Sequence, residues 1–159
     1  MDDYFFMNEA LAEARRAFDM GEVPIGCVIA YQGVIIGRGA NQRAAKKNVL
    51  CHAEISAINQ ACHFLGDWRL EGTALYVTLE PCPMCAGAIV QARIPTVVFG
   101  AKSPKAGCAG SILDILNEPR FNHQALVRAG IMEKECAAIM AEFFERFRKD
   151  SVYPPPCPD

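Results

Sequence analysis

The spacing of apolar residues along the chain changes between helical and strand-like patterns. Apolar side chains recur every three to four positions in four segments, which predicts helices over residues 4–20, 52–65, 83–91 and 133–149. Short β-rich runs predict strands at 25–31, 34–37, 74–79, 96–100 and, less regularly, 123–128. The Gln32-Gly33 pair predicts a hairpin turn between the first two strands. Segment 112–116 reads as a short helical turn, and the polar, aperiodic segments are interpreted as loops over 38–51 and 101–110.

This order of elements predicts the fold class. Helices that alternate with strands indicate an α/β protein with a mixed sheet between helical layers. The runs 74–79 and 96–100 are almost wholly apolar, as is typical of central strands covered on both faces. We therefore predict one domain over residues 1–150. The remaining residues, 151–159, include four prolines and are predicted to form a loosely ordered tail to which no role is assigned.

Composition excludes several classes of protein. The chain has 159 residues, of which 52% are hydrophobic, and 16 Lys+Arg balance 18 Asp+Glu. A strongly basic nucleic-acid binder and a transmembrane protein are both disfavoured, since no apolar run approaches the ~18 residues that span a bilayer. The acidic N-terminus does not resemble a signal peptide, so we predict a cytoplasmic protein. In that reducing compartment the eight cysteines are not expected to form four disulfides.

The charges are unevenly distributed along this nearly neutral chain. No acid occurs between Glu22 and Glu54 or between Glu80 and Asp114. These two stretches contain the basic residues Arg38, Arg43, Lys46, Lys47, Arg93, Lys102 and Lys105. The pattern is compatible with one positive face that the net charge conceals, or with ordinary solvated loops.

Two short motifs carry the candidate chemistry. They are His52-Ala53-Glu54 and Pro81-Cys82-Pro83-Met84-Cys85, and each lies where a predicted helix begins. Cys82 and Cys85 are three positions apart, so on a first helical turn their sulfurs point to the same side. His52 can complete a set of three ligands, and one imidazole with two thiolates suits zinc. Iron or cobalt would accept the same ligand types.

Three protein ligands leave one coordination position open, which is typical of catalytic zinc. A water held there has its pKa lowered toward about 7, and a carboxylate at Glu54 could take its proton and return it to a substrate nitrogen. Alone, the Cys-x-x-Cys pair could equally be a redox pair or part of a structural zinc site. His-x-Glu followed by Pro-Cys-x-x-Cys is, however, the known signature of the zinc nucleobase deaminases.

Beyond these motifs, the chain resembles the bacterial tRNA-specific adenosine deaminases over roughly residues 22–149. The blocks that carry the resemblance are 52–55, 75–88, 93–94, 97–101, 105–107, 110–111, 122–123, 135–138 and 143–144. It implies a cytidine-deaminase-like three-layer α-β-α sandwich with a mixed five-stranded sheet, and a homodimer. It also implies one Zn²⁺ per chain and hydrolytic conversion of the wobble adenosine of a tRNA anticodon to inosine. Glu54 would be the catalytic proton shuttle, and His52, Cys82 and Cys85 the metal ligands.

The resemblance also implies roles for residues around the site. Substrate-binding positions of the family match Asn41, Ala53, Leu79 and Val23. Positions that face the anticodon match Asn122, His123, Phe144 and Arg148, and Arg43 and Lys105 are candidate phosphate contacts. Core packing is the alternative role for Phe144. Ser103 departs from the family, where many members carry an acid, and Cys51 is interpreted as a packed thiol.

Three other functions remain open at this point. A deaminase of a free base or nucleoside, of the guanine or cytidine type, would share the zinc motifs but would not need basic residues around its cavity. A non-enzymatic, zinc-stabilised RNA-binding module would keep the metal without turnover. A thiol redox protein would form a reversible disulfide between Cys82 and Cys85 and bind no metal.

Overall fold

The structure is a computed structural model that describes the backbone of residues 2–150 and the side chains of residues 2–147. Its helices are α1 (Asp3–Asp19), α2 (Arg43–Lys46), α3 (Ala53–Leu65), α4 (Pro83–Gln91) and α5 (Glu133–Asp150). Its strands are β1 (Gly26–Tyr31), β2 (Val34–Ala40), β3 (Thr73–Leu79), β4 (Thr96–Ala101) and β5 (Leu126–Ala129). The proline-rich tail 151–159 lies outside the described residues.

The strands form one mixed sheet in the order β2-β1-β3-β4-β5. Strand β1 is antiparallel to both β2 and β3, whereas β3, β4 and β5 are parallel to one another. At the β1–β2 hairpin, Gln32 and Gly33 both have positive φ angles, 51° and 79°. A two-residue turn with two positive φ angles matches the right-handed twist of the strands it joins, so the hairpin prediction is confirmed.

Helices cover both faces of the sheet. Alternate side chains of β3 point to opposite faces: Leu75 and Val77 pack in the cluster that contains α3 and α4, and Ala74 and Tyr76 pack in the cluster that contains α1. Helix α5 reaches the same face as α1 through Cys136. The predicted three-layer α-β-α sandwich with a five-stranded mixed sheet is therefore confirmed.

Helix α3 lies unusually close to strand β2. Its buried face consists of small side chains and one carboxylate, namely Ala53, Glu54, Ala57 and Ala61. On the strand, a Cβ placed on Gly37 would lie 2.2 Å from the carbonyl oxygen of Ala57, and one on Gly39 would lie 2.0 Å from that of Ala53. Only glycine permits this approach, and it fixes the position of the helix that begins beside His52.

We expect Gly39→Ala to destabilise the protein by about 3 kcal/mol, since the added methyl group meets helix backbone that cannot move aside locally. At this chain length the midpoint of thermal unfolding should fall by about 6–12 °C, measured by circular dichroism. Gly87→Ala is the matched control, because a Cβ at Gly87 in α4 meets nothing within 4 Å. The control should be neutral or slightly stabilising, as alanine favours a helix by up to about 1 kcal/mol. Equal melting temperatures for wild type and Gly39→Ala would contradict the packing argument.

Three elements predicted from the sequence have wrong boundaries, and one short helix was missed. Strand β2 continues to Ala40, and the segment interpreted as a loop over 38–51 contains α2. The predicted turn over 112–116 is a 3-10 helix at Ile115–Asn117, and β5 is confined to Leu126–Ala129. The end of β2 was not predicted because Gly37 and Gly39 have low strand propensity. Helix α2 was not predicted because it depends on a tertiary contact that is described below. Short elements of this kind leave no periodicity in the sequence.

The structure shows the state of the cysteines and the hydrophobicity of the helices. All seven cysteines in the part of the chain that the structure describes are free of disulfides. Cys27, Cys108 and Cys136 are buried fillers, and Cys62 is half-buried. Over the same residues, no helix combines the length and hydrophobicity that crossing a bilayer requires.

Candidate metal centre and cavity

Three predicted metal ligands meet at the end of the sheet where β3 stops. His52 is the N-cap of α3 and Cys82 the N-cap of α4, both with extended backbone. Pro83 occupies the first turn of α4, where its missing N–H costs no hydrogen bond, and Cys85 follows on the same turn. Two helix N-termini thus converge on one point, and their positive dipole ends favour thiolate ligands there.

The geometry of this group fits a tetrahedral zinc ion. Nδ1 of His52 lies 3.5 Å from Sγ of Cys82 and 3.5 Å from Sγ of Cys85, and all three ligand atoms lie within 4.8 Å of one another. Bonds of about 2.3 Å to sulfur and about 2.05 Å to nitrogen would place such atoms about 3.6 Å apart at tetrahedral angles. Over residues 2–147 this three-residue group is the candidate metal cluster. Cys51, although adjacent to His52 and half-buried, does not join it.

The pKa values of the two cysteines and of His52 depend on the hydrogen bonds between them. A hydrogen bond from Cys85, together with one to His52, lowers the pKa of Cys82 to about 4 against the opposing effect of burial. The same bond and burial raise the pKa of Cys85 well above its usual range. The hydrogen bond to Cys82 raises the pKa of His52. Such mutual dependence is typical of a metal-ligand set, in which a cation takes the place of the shared protons.

Glu54 lies on the first turn of α3, two positions after His52, and lines the same cavity as His52. It is 4% exposed, and this burial raises the pKa of its carboxyl to about 7, with the Cys82 thiolate acting in the same direction. It is not one of the three metal ligands. A carboxylate whose pKa lies near neutrality both accepts and returns a proton readily.

A cavity of about 90 Å³ opens beside Glu54. Its lining residues are Val23, Ile25, Asn41, Arg43, His52, Ala53 and Glu54. Three of the four residues predicted to bind substrate therefore lie around it. Leu79 does not line this cavity; it packs against the cluster between the sheet and α1.

Asn41 holds the cavity wall together through its side-chain amide. It is 5% exposed, its Nδ2 donates to the carbonyl oxygen of Val23 at 3.2 Å, and its Oδ1 accepts from the backbone N–H of Arg43 at 3.1 Å. The apolar side of the wall, Val23, is backed by Phe147 and Phe143 in the cluster between α1 and α5. The amide thus fixes one apolar and one cationic residue of the cavity relative to each other.

Comparison with known proteins identifies the family. A model of the MafB19-like deaminases matches residues 1–148. The tRNA-specific adenosine deaminase of Bacillus subtilis is 52% identical over 147 residues, which cover 92% of this chain and 91% of the relative. That of Streptococcus pyogenes serotype M18 is 48% identical over 91% of both chains.

A solved structure points the same way. A protein from a study of A-to-I editing by tRNA:A34 deaminases is 45% identical and superimposes with a TM-score of 0.82. The match covers 85% of this chain and 98% of that one. This chain belongs to the family of the bacterial tRNA-specific adenosine deaminases. The resemblance seen in the sequence is confirmed, and the chain is a deaminase.

Two basic residues of this deaminase lie near the cavity. Arg43 is exposed on α2 and lines the opening. Lys105 is exposed in the loop 102–111, whose Cys108 N–H donates to the carbonyl oxygen of Pro81 next to the metal ligand Cys82. Each acid-free stretch of sequence therefore includes one exposed basic residue in a segment that contacts the site.

The remaining predicted RNA contacts lie farther away. Asn122 is exposed, and the His123 ring is hydrogen-bonded through Nε2 to the carbonyl oxygen of Ile94 at 2.8 Å. That bond is at the start of β4, one strand length from the metal group, roughly 17 Å at about 3.3 Å per residue. Within one chain the structure does not bring these two residues to the cavity. Phe144 is 41% exposed on α5 and stacks edge-on against Phe143, and the Arg148 side chain lies outside the described part.

Sequence reasoning missed three residues of the site. Ile25 lines the cavity and was counted only as a strand residue. Glu22 is 2% exposed, and its carboxylate accepts from the backbone N–H groups of Ala44 and Ala45, so it anchors α2. Glu80 is 3% exposed, and its carboxylate accepts from backbone N–H groups of the loop 102–111. The only signal for the two acids was that each one borders an acid-free, basic stretch.

Proposed function

We propose that this deaminase converts the wobble adenosine of a tRNA anticodon to inosine by hydrolysis. The observation that carries the proposal is the metal-ligand group beside a buried carboxylate, at a cavity bordered by Arg43. The close relatives named for tRNA-specific adenosine deamination support the choice of substrate. An anticodon loop also presents bases that are already unstacked, which a buried site requires.

The proposed cofactor is one Zn²⁺ per chain, held by His52, Cys82 and Cys85. Zinc bound there would act as a Lewis acid that makes water a nucleophile near neutral pH. Glu54 would carry one proton of that water to the purine ring and then the second proton to the departing amino group. Reaction with water and loss of ammonia convert adenosine to inosine, so that the carboxylate ends in the state in which it began.

The cavity residues would orient the base and exclude bulk water. Asn41 offers a side-chain amide whose orientation is set by Val23 and Arg43. Val23 supplies an apolar wall, and the backbone at Ala53 lines the cavity beside the metal group. Leu79, which does not line this cavity, would contact a part of the substrate that extends beyond it. Arg43 and Lys105 would pair with phosphates of the anticodon loop, whereas Asn122 and His123 would contact RNA bound across a second copy of the chain.

The proposal extends to assembly and location. We infer a homodimer, with residues 1–150 as the deaminase unit of each chain, because the predicted RNA-contact residues of one chain lie on opposite ends of its sheet. We also infer a cytoplasmic enzyme, because its substrate is tRNA and its cysteines are suited to a reducing compartment.

The decisive experiment compares RNA with free bases. Purified protein is incubated with an anticodon stem-loop that has adenosine at the wobble position, and inosine is quantified by nuclease digestion and mass spectrometry. Ammonia release is measured in parallel with free adenosine, guanine and cytidine. We expect turnover of the stem-loop only. Turnover of a free base or nucleoside at an equal or higher kcat/KM would favour the alternative deaminase class, and zinc-loaded protein without any turnover would favour a binding module.

A further inference from the structure

Glu80 joins the metal-binding helix to a distant loop. It lies between β3 and the Pro81-Cys82 start of α4, and its carboxylate is almost completely buried. The carboxylate accepts four hydrogen bonds from the loop: from the backbone N–H of Ser103 (3.1 Å), Ala109 (3.0 Å) and Ser111 (3.0 Å), and from the Ser111 hydroxyl (2.5 Å). One side chain thereby contacts both ends of the segment 103–111.

The loop is closed tightly around this carboxylate. A Cβ on Gly107 would lie only 2.3 Å from Cδ of Glu80, so the loop backbone passes directly over the carboxyl group. Gly107 donates its N–H to the carbonyl oxygen of Ser103, and Cys108 donates to that of Pro81. Lys102 and Lys105 are the exposed basic residues of this region. Their backbone positions are therefore set by contacts made beneath them.

We propose that Glu80 is a positioning residue for RNA: it holds the loop 102–111 so that Lys102 and Lys105 face the phosphates of the substrate beside the metal centre. The proposal rests on the proposed function for the identity of the substrate. Glu80 itself is covered by the loop and does not line the cavity beside Glu54. Its effect is on the geometry with which the lysines meet the RNA.

A carboxylate suits this role better than any neutral side chain. Every backbone partner of Glu80 is a donor, and an ionised carboxylate has only acceptor sites. Glutamine in the same place would turn an NH₂ group toward at least one backbone N–H, so at least one of the three backbone bonds would be lost. The negative charge also strengthens each of these hydrogen bonds relative to a bond from a neutral acceptor.

Glu22 provides a matched comparison, because it is a second buried acid that holds a different basic segment. Its carboxylate accepts from the backbone N–H of Ala44 at 3.2 Å and of Ala45 at 2.6 Å, and thereby anchors the segment that contains Arg43. Each buried acid thus holds a different loop. Replacement of one acid should loosen its own loop and leave the other unchanged.

Limited proteolysis tests the positioning role without any substrate. Full-length zinc-loaded Glu80→Gln and Glu22→Gln proteins are treated with trypsin under native conditions, and the cuts are assigned by mass spectrometry. We expect Glu80→Gln to be cut at least about tenfold faster than wild type at Lys102 and Lys105, because local opening becomes more frequent. Cuts at Lys46 and Lys47 should keep the wild-type rate. Glu22→Gln should show the reverse pattern.

Kinetics then test whether the held loop serves RNA binding. For an anticodon stem-loop, we expect Glu80→Gln to raise KM about tenfold with kcat within about twofold of wild type. This is the result expected when the lost contact stabilises the bound substrate and the transition state equally. Lys105→Ala should raise KM in the wild-type background and add little in the Glu80→Gln background. A merely structural role would lower zinc content or kcat and would leave the two substitutions additive.

The outcomes separate the two proposals. Wild-type protein that does not deaminate the stem-loop overturns the proposed function, whereas the trypsin pattern still reports on Glu80. Equal cutting of the loop in wild type and Glu80→Gln overturns the positioning role, as does full additivity with Lys105→Ala. If Glu80→Gln does not fold, Ser111→Ala removes only the hydroxyl bond at the same carboxylate. It should show a smaller change of the same kind, and an unchanged loop in that variant would again contradict the proposal.

Discussion

Glu54→Gln is expected to lower the turnover of the deaminase by about 10²–10⁴-fold while the protein keeps its fold and its metal. Glutamine matches the shape of the carboxyl group but cannot accept a proton. Glu54 is the one carboxylate among the cavity-lining residues that the structure describes, so no neighbour there can replace it. The measurements are single-turnover formation of inosine in an anticodon stem-loop, zinc content by elemental analysis, and thermal unfolding by circular dichroism.

Glu71→Gln is the matched control for this change. Glu71 is exposed in the turn before β3, at the other end of that strand from Cys82. It should have wild-type turnover and zinc content. Because the buried carboxyl of Glu54 has a pKa raised to about 7, its ionised form is poorly solvated, and a neutral amide should not lower stability. If Glu54→Gln turned over within a few-fold of wild type, the assignment of the proton shuttle would be wrong.

Cys85→Ala is expected to remove both the metal and the activity. Cys85 is buried, and its sulfur lies 3.5 Å from the His52 Nδ1 that it would share a metal with. Two remaining protein ligands cannot provide the three that a catalytic zinc site requires, so bound zinc should fall from about one per chain to near zero. Turnover of the stem-loop should then become undetectable.

Another buried cysteine makes the comparison specific. Cys27 on β1 is also fully buried and lies in the same hydrophobic cluster as α3 and α4, but it does not belong to the metal group. Cys27→Ala should keep about one zinc per chain and lose only the stability that a small buried sulfur contributes. The zinc content of the wild-type protein also tests the thiol redox alternative, because a redox protein of that kind would bind no metal. A Cys85→Ala protein that bound zinc normally would refute the three-ligand site.

The metal centre could be predicted from local spacing because each part of it is set by a short segment. Cys82 and Cys85 share one helical turn, and His52 and Glu54 share another. The apolar run of β3 leads directly into Pro81, which indicated that the cysteines lie at the end of a central strand. The convergence of the two motifs was indicated by their combination, which is the known signature of the zinc nucleobase deaminases.

The details of the surrounding cavity depended on contacts between distant segments. Val23, Asn41 and Ala53 were placed around the site through family resemblance, and the structure shows how the Asn41 amide links Val23 to Arg43. Leu79 was assigned to the same wall, but it packs on the other face where β3 ends. Its place depends on how the chain leaves the sheet, which has no periodic signature.

By itself the sequence determined the order of the longer helices and strands and indicated His52, Cys82, Cys85 and Glu54 as candidate site residues, because helical and strand periods and short motifs are properties of neighbouring residues. The tertiary structure alone decided how the segments that contain Arg43 and Lys105 are held. Glu22 reaches residues 22 and 23 positions away, and Glu80 reaches residues 23, 29 and 31 positions away. The sequence has no local pattern that predicts a buried carboxylate bound by the backbone N–H groups of a remote loop. Backbone donors are the same at every residue except proline, so they leave no signal in the sequence.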